Sequence, residues 1–108
     1  MSERFRVRWT RAAQDDVSAI IDYVAVENAR TAREILTALK YSAAKLERFP
    51  DRGRYVPETR ALDVFTYREL VNRPWRIIYR REEHTVFVLA VLDSQRDLES
   101  LLIERLVR

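Results

Sequence analysis

Arg4 to Trp9 sets Phe5, Val7 and Trp9 against Arg4, Arg6 and Arg8, a period of two that predicts a half-buried strand. The period then changes. Thr10 is placed to cap a helix, Asp15 and Asp16 fall in its early turns, and Ala13, Val17, Ile20, Ile21 and Val24 recur at helical spacing to about Val26. A second helix begins near Asn28, another side chain suited to an N-cap. It carries Ala32, Ile35, Leu36, Leu39, Ala43 and Leu46 on one stripe and must stop before Pro50. So short a connection predicts an antiparallel helical hairpin. Three alternating runs follow, Val64 to Leu70, Trp75 to Arg81 and Thr85 to Leu92, with Asn72, Arg73 and Pro74 marking one turn and Glu82, Glu83 and His84 the next. They predict an antiparallel meander. Leu98, Leu101, Leu102 and Leu106 return to helical spacing, which predicts a short closing helix from Arg96.

The order β-α-α-β-β-β-α predicts an α+β fold, with an N-terminal strand, an antiparallel helical hairpin packed on an antiparallel sheet, and a short C-terminal helix. The only glycine, Gly53, and two of the three prolines, Pro50 and Pro57, fall between Arg48 and Glu58, where helix gives way to strand. That stretch reads as a connection inside one domain, so residues 1–108 are expected to form a single unit. Gly53 is expected to supply a backbone conformation with positive φ. Trp9, Phe65, Trp75, Tyr79 and Phe87 are expected to fill the space between sheet and helices.

Charge adds a bias rather than a class. The net charge is +3, but the cations are 18 arginines against 2 lysines. Arginine grips carboxylates and phosphates with a planar fork, which suits an acidic protein partner or a nucleic acid. A charge this small does not by itself establish nucleic-acid binding. Without cysteine there is no disulfide or thiolate metal site, and a single histidine, His84, excludes a histidine-rich zinc centre. The first residues, Met1 to Trp9, alternate charge with bulk and hold no apolar run long enough for a signal peptide or a membrane span, so the expected location is cytoplasmic, away from any membrane.

Several short motifs then occur in a telling order. They are Trp9-Thr10 with Ala12, Ala13, Asp16 and Val17; Phe49-Pro50 with Gly53-Arg54 and Pro57-Glu58; Tyr67-Arg68-Glu69-Leu70; Trp75-Arg76-Ile77-Ile78-Tyr79; and Val88 to Val91 followed by Arg96-Asp97-Leu98. Together they resemble the ParE/RelE superfamily of toxins from bacterial type II toxin–antitoxin modules, over nearly the whole chain. The Arg68-Glu69 pair and the connection around Gly53 look more like ParE and its plasmid-stabilisation relatives than like RelE.

The resemblance implies a toxin that poisons DNA gyrase by binding, whereas RelE-type toxins cut mRNA on the ribosome. It implies no metal and no cofactor. RNA cleavage through the 2′-hydroxyl needs a proton acceptor, a proton donor and cations around the phosphate. RelE-like ribonucleases supply these with lysines and arginines on the sheet and a tyrosine near the C-terminus. Here Tyr67, Arg68 and Glu69 put a carboxylate where a cation is wanted, residues 97–108 contain neither tyrosine nor histidine, and Asp93 stands where many relatives carry a histidine. No catalytic residue is assigned. Arg76, Arg96, Tyr67 and Glu69 are the residues associated with toxicity by resemblance, and the double change Arg76→Ala with Arg96→Ala is expected to leave folding intact. The alternative for Arg76 and Arg96 is a salt-bridged face. The implied partner is a ParD-like antitoxin whose C-terminal segment folds over the toxin, with DNA reached only through that complex. Tyr23, Val26, Tyr41, Tyr55 and Val56 are the candidate apolar contacts for it, with ordinary core or scattered surface as the alternative. A RelE-like endoribonuclease and a non-toxic relative that only binds antitoxin remain the other functional readings.

Overall fold

A computed structural model describes residues 4–93; the closing helix expected from Arg96, and Arg96 itself, lie outside the described residues. β1 (Arg6–Trp9) leads directly into α1 (Arg11–Ala25). Thr10 makes the junction, because its Oγ1 accepts from the Ala13 N–H at 3.2 Å and donates to the Val88 carbonyl at 3.1 Å. One side chain thus caps the helix and ties its start to the sheet. Asn28 caps α2 (Ala29–Ala44) by accepting from the Thr31 N–H at 3.0 Å. The stripe read to Leu46 ends in a 3-10 turn, Lys45–Glu47, which keeps Leu46 fully buried before Pro50.

The stretch after Pro50 is more than a loop. It holds a two-residue strand, β2 (Arg54–Tyr55), and a single helical turn, α3 (Pro57–Arg60), with Pro57 in the first turn where its missing N–H costs nothing. Then come β3 (Tyr67–Asn72), β4 (Trp75–Glu82) and β5 (Thr85–Asp93). The strand expected from Val64 therefore starts three residues later. Val64 and Phe65 lie in the exposed turn before it, which Asp63 enters at φ 63°.

The sheet order is β1-β5-β4-β3-β2. The β3–β4–β5 meander is antiparallel as expected, and β1 lies parallel to β5 because the chain crosses the sheet through the helical hairpin before returning. Leu89 is a bulge, since Tyr79 pairs with Val88 and Ile78 with Ala90. The extra residue switches the parity of β5: Val86 and Val88 face the helices before it, Val91 after it. Just past the bulge Asp16 of α1 accepts the Val91 N–H at 2.9 Å, closing an edge that β1 is too short to cover.

Two apolar clusters result. Phe5, Leu39, Ala43, Leu46, Leu70, Ile77, Tyr79, Val86, Val88 and Val91 fill the space between helices and sheet, with Trp9 and Trp75 packed against them. Val56, Ile78, Ala90 and Leu92 form a smaller cluster on the opposite face with Tyr67. Two expected core aromatics are elsewhere: Phe65 is 51% exposed, and Phe87 is half-buried beneath the Arg80 guanidinium, 5.4 Å from its ring centre. Gly53 also departs from expectation, having no positive φ. Its N–H donates to the Tyr79 hydroxyl at 3.0 Å, and the backbone approaches the sheet too closely for a side chain. Burial raises the Tyr79 pKa, an effect the Gly53 hydrogen bond partly offsets.

Candidate functional site

Four residues far apart in sequence meet at the β2 end of the sheet. Glu69 of β3 lies opposite Arg54 of β2, and Arg76 of β4 sits diagonally from it, opposite Val71. The α3 turn brings Glu58 over Arg76. The Glu69 side chain is fully buried. Its Oε1 accepts from Arg76 Nε at 2.6 Å and its Oε2 from Arg54 Nε at 2.6 Å. Arg76 turns its two terminal nitrogens to Glu58, with NH1 to Oε2 at 2.9 Å and NH2 to Oε1 at 2.7 Å. The result is an alternating chain, Arg54–Glu69–Arg76–Glu58, with no net charge.

Burial alone would disfavour the charged form of Arg76. The hydrogen bonds and negative charges of Glu58 and Glu69 outweigh it, so the guanidinium is held charged more firmly than an ordinary arginine. A pair this buried is costly to desolvate and much costlier to break, because the survivor keeps its charge without its partner. The structure therefore brings Glu69 and Arg76 together, but as partners of one another. Arg76 offers no free fork to a phosphate, and both oxygens of Glu69 are occupied. Tyr67, on the same strand face, packs against the smaller apolar cluster. The expectation that Arg76→Ala leaves folding intact does not survive this geometry, since the change would strand Glu58 and one oxygen of buried Glu69.

The candidate partner contacts divide. Tyr23, Val26 and Tyr41 are 82%, 87% and 64% exposed, the first two at the end of α1 and the third on α2 beneath the Lys45 ammonium. Tyr55 is half-buried, edge-on to Phe65 at 5.4 Å, with the Arg68 guanidinium 4.1 Å from its ring centre. Val56 has no exposed surface, so it belongs to the core and offers a partner nothing in this state. Tyr23 borders a groove of about 420 Å³ with Asp16, Ile20, Trp75 and Leu92. Exposed Leu62 and Val71 were not singled out by sequence, and exposed Phe49 only as part of a motif, for they carry no period that separates them from core positions. His84 sits in the exposed β4–β5 turn with its ring 5.8 Å from Phe5, as its neighbours Glu82 and Glu83 suggest. Among the described residues no group of histidine or acidic side chains is arranged to hold a metal ion, and no helix is long and apolar enough to cross a membrane.

A family model described as ParE toxin of type II toxin-antitoxin system, parDE, matches residues 7–98. Among solved structures, a chain of the chromosomal ParDE system from P. aeruginosa superposes with a TM-score of 0.68 at 22% identity, covering 83% of this chain and 96% of the other. A chain of the toxin-antitoxin complex RelBE2 from Mycobacterium tuberculosis gives a TM-score of 0.57 at 21% identity, covering 84% and 92%. At these identities the two structures show the shared fold. No curated protein sequence matches the chain.

Proposed function

The chain belongs to the ParE toxin family of type II toxin–antitoxin systems, and on that premise we propose that it arrests growth by poisoning DNA gyrase and is neutralised by a ParD-like antitoxin. The observation that carries this reading is the internally paired site around Glu69. A nuclease would need free cations at the phosphate and a separate proton donor and acceptor. Here the sheet position resembling that site is a closed ion-pair chain, and its arginine is committed to Glu58 and Glu69. The activity is then inhibition by binding in the cytoplasm, with neither cofactor nor bond-making step supplied by this protein.

Neutralisation by an antitoxin fits the same surface chemistry. An acidic segment, disordered alone, would fold against an arginine-rich toxin and cover the tyrosines exposed on the hairpin. Induced expression in bacteria tests the reading. Expected are growth arrest relieved by the co-expressed antitoxin, a DNA-damage response, and intact messenger RNA. Arrest with messages cut on the ribosome would instead support a RelE-like ribonuclease.

A further inference from the structure

Where α2 ends, the chain leaves an aromatic ring and three cations at the surface. The Lys45 carbonyl accepts from the Arg48 N–H at 3.2 Å and from the Phe49 N–H at 3.0 Å, and the Phe49 carbonyl accepts from the Arg52 N–H at 3.2 Å. These turns hold Lys45, Arg48, Phe49 and Arg52 around one open hollow of about 690 Å³, whose wall buried Pro50 and Asp51 complete. Phe49 is 62% exposed, a large apolar side chain that neither apolar cluster uses. The Lys45 ammonium is held in place 4.4 Å from the centre of the Tyr41 ring.

Among the described residues Lys45, Arg48 and Arg52 enter no ion pair. The carboxylate of the hollow, Asp51, is answered from outside it: Oδ2 accepts from Arg81 NH1 at 3.0 Å, and Oδ1 lies 3.8 Å from Arg68 Nε. Within residues 45–52 this leaves Glu47, exposed on the 3-10 turn, against three uncommitted cations. Such a surface attracts a polyanion, and the exposed ring selects which one. Cations grouped about a ring match a chain that alternates phosphates with unstacked planar bases, whereas a duplex or an acidic peptide would leave the ring unused. We propose that this surface binds single-stranded DNA directly, with a base stacked on Phe49 and the phosphates held by Lys45, Arg48 and Arg52. No side chain of the hollow is free to read a 2′-hydroxyl, because Asp51 is committed to Arg68 and Arg81. The choice of DNA also rests on the gyrase reading, since an enzyme that cuts and passes DNA is then the place where this toxin works. The surface is separate from the Glu69 ion-pair chain and asks no chemistry of it.

The test is fluorescence anisotropy of a labelled twelve-nucleotide oligothymidylate titrated with the full-length protein over a range of salt. Expected is saturable binding whose log affinity falls against log salt with a slope of about −2, the value for three phosphate contacts on a single strand. Phe49→Ala should weaken binding about tenfold and leave the slope unchanged. Arg48→Ala with Arg52→Ala should reduce the slope to about −0.7. A strand of the same length built of abasic sites should bind the parent about tenfold more weakly and be indifferent to Phe49→Ala. Because these positions are exposed, both variants should keep the unfolding midpoint of the parent. Absence of saturable binding, equal affinity for the normal and abasic strands, unchanged affinity of Phe49→Ala, or an unchanged slope in the double variant would each overturn the assignment. So would an oligouridylate bound about tenfold more tightly than the DNA strand, or a twelve-residue polyglutamate that competes equally well, which would give the surface to RNA or to an acidic protein. The assay contains neither gyrase nor antitoxin, so its failure is separate from failure of the proposed activity.

Discussion

At Gly53 the constraint is space rather than backbone angle. A Cβ built there would lie 2.5 Å from the Glu69 carbonyl oxygen and 2.7 Å from the Tyr79 hydroxyl oxygen, and the first of these belongs to a strand that cannot easily give way. Gly53→Ala is expected to destabilise the protein by about 1–3 kcal/mol in urea unfolding, the range for overpacking. Glycine beside proline reads in a sequence as a turn with positive φ. The actual cause, a contact with a tyrosine 26 residues away, has no local signature. Tyr79 can be tested through pH. Its folded pKa is raised by burial, so its contribution is fully present below the unfolded value of about 10 and is lost as pH rises through the folded one. Tyr79→Phe leaves the Gly53 N–H unsatisfied and should cost about 1 kcal/mol near pH 7. The deficit should narrow above about pH 10, where only the parent carries this ionisation penalty. Urea unfolding at both pH values checks it.

Among the elements, legibility followed locality. Both long helices were readable because Thr10 and Asn28 announce their starts within a few residues, and the meander because its strands are long enough to show a period of two. β2 and α3 were not, since two residues and one turn are too short for any period. What holds them is the ion-pair chain, in which Arg54 reaches 15 residues to Glu69 and Glu58 reaches 18 to Arg76. Sequence placed Glu69 and Arg76, with Tyr67 and Arg96, among the residues associated with toxicity by resemblance, and Arg54 and Glu58 among the motif residues. It could not show that Arg54, Glu58, Glu69 and Arg76 satisfy one another. Arg76→Ala is therefore expected to cost about 3 kcal/mol in urea unfolding, somewhat reduced because Arg54 still holds one oxygen of Glu69. Arg76→Lys keeps the charge but not the fork, and should fall between that variant and the parent. An Arg76→Ala variant as stable as the parent would show that the chain contributes nothing to the fold. Any loss of toxicity in that variant must be read beside its stability.

For the molecule as a whole, the fold places its chemistry at the margins of the sheet. One margin is closed by charge: the Glu69 chain seals β3 against α3 and β2. At the other, Arg6 and Arg8 of β1 are exposed, and a groove of about 520 Å³ opens between α1 and α2 beside Trp9. Between them the helical hairpin leaves Tyr23, Val26 and Tyr41 exposed. A molecule arranged this way is equipped to be covered and to cover, with its most buried charged groups already neutralised. That arrangement is what the proposal of inhibition by binding rests on. The most direct measurement is plasmid supercoiling by purified gyrase with ATP while the folded protein is titrated in, with the antitoxin added back as control. The account predicts loss of supercoiling with accumulation of cleaved plasmid, reversed by the antitoxin. Full supercoiling in the presence of excess folded protein would contradict it.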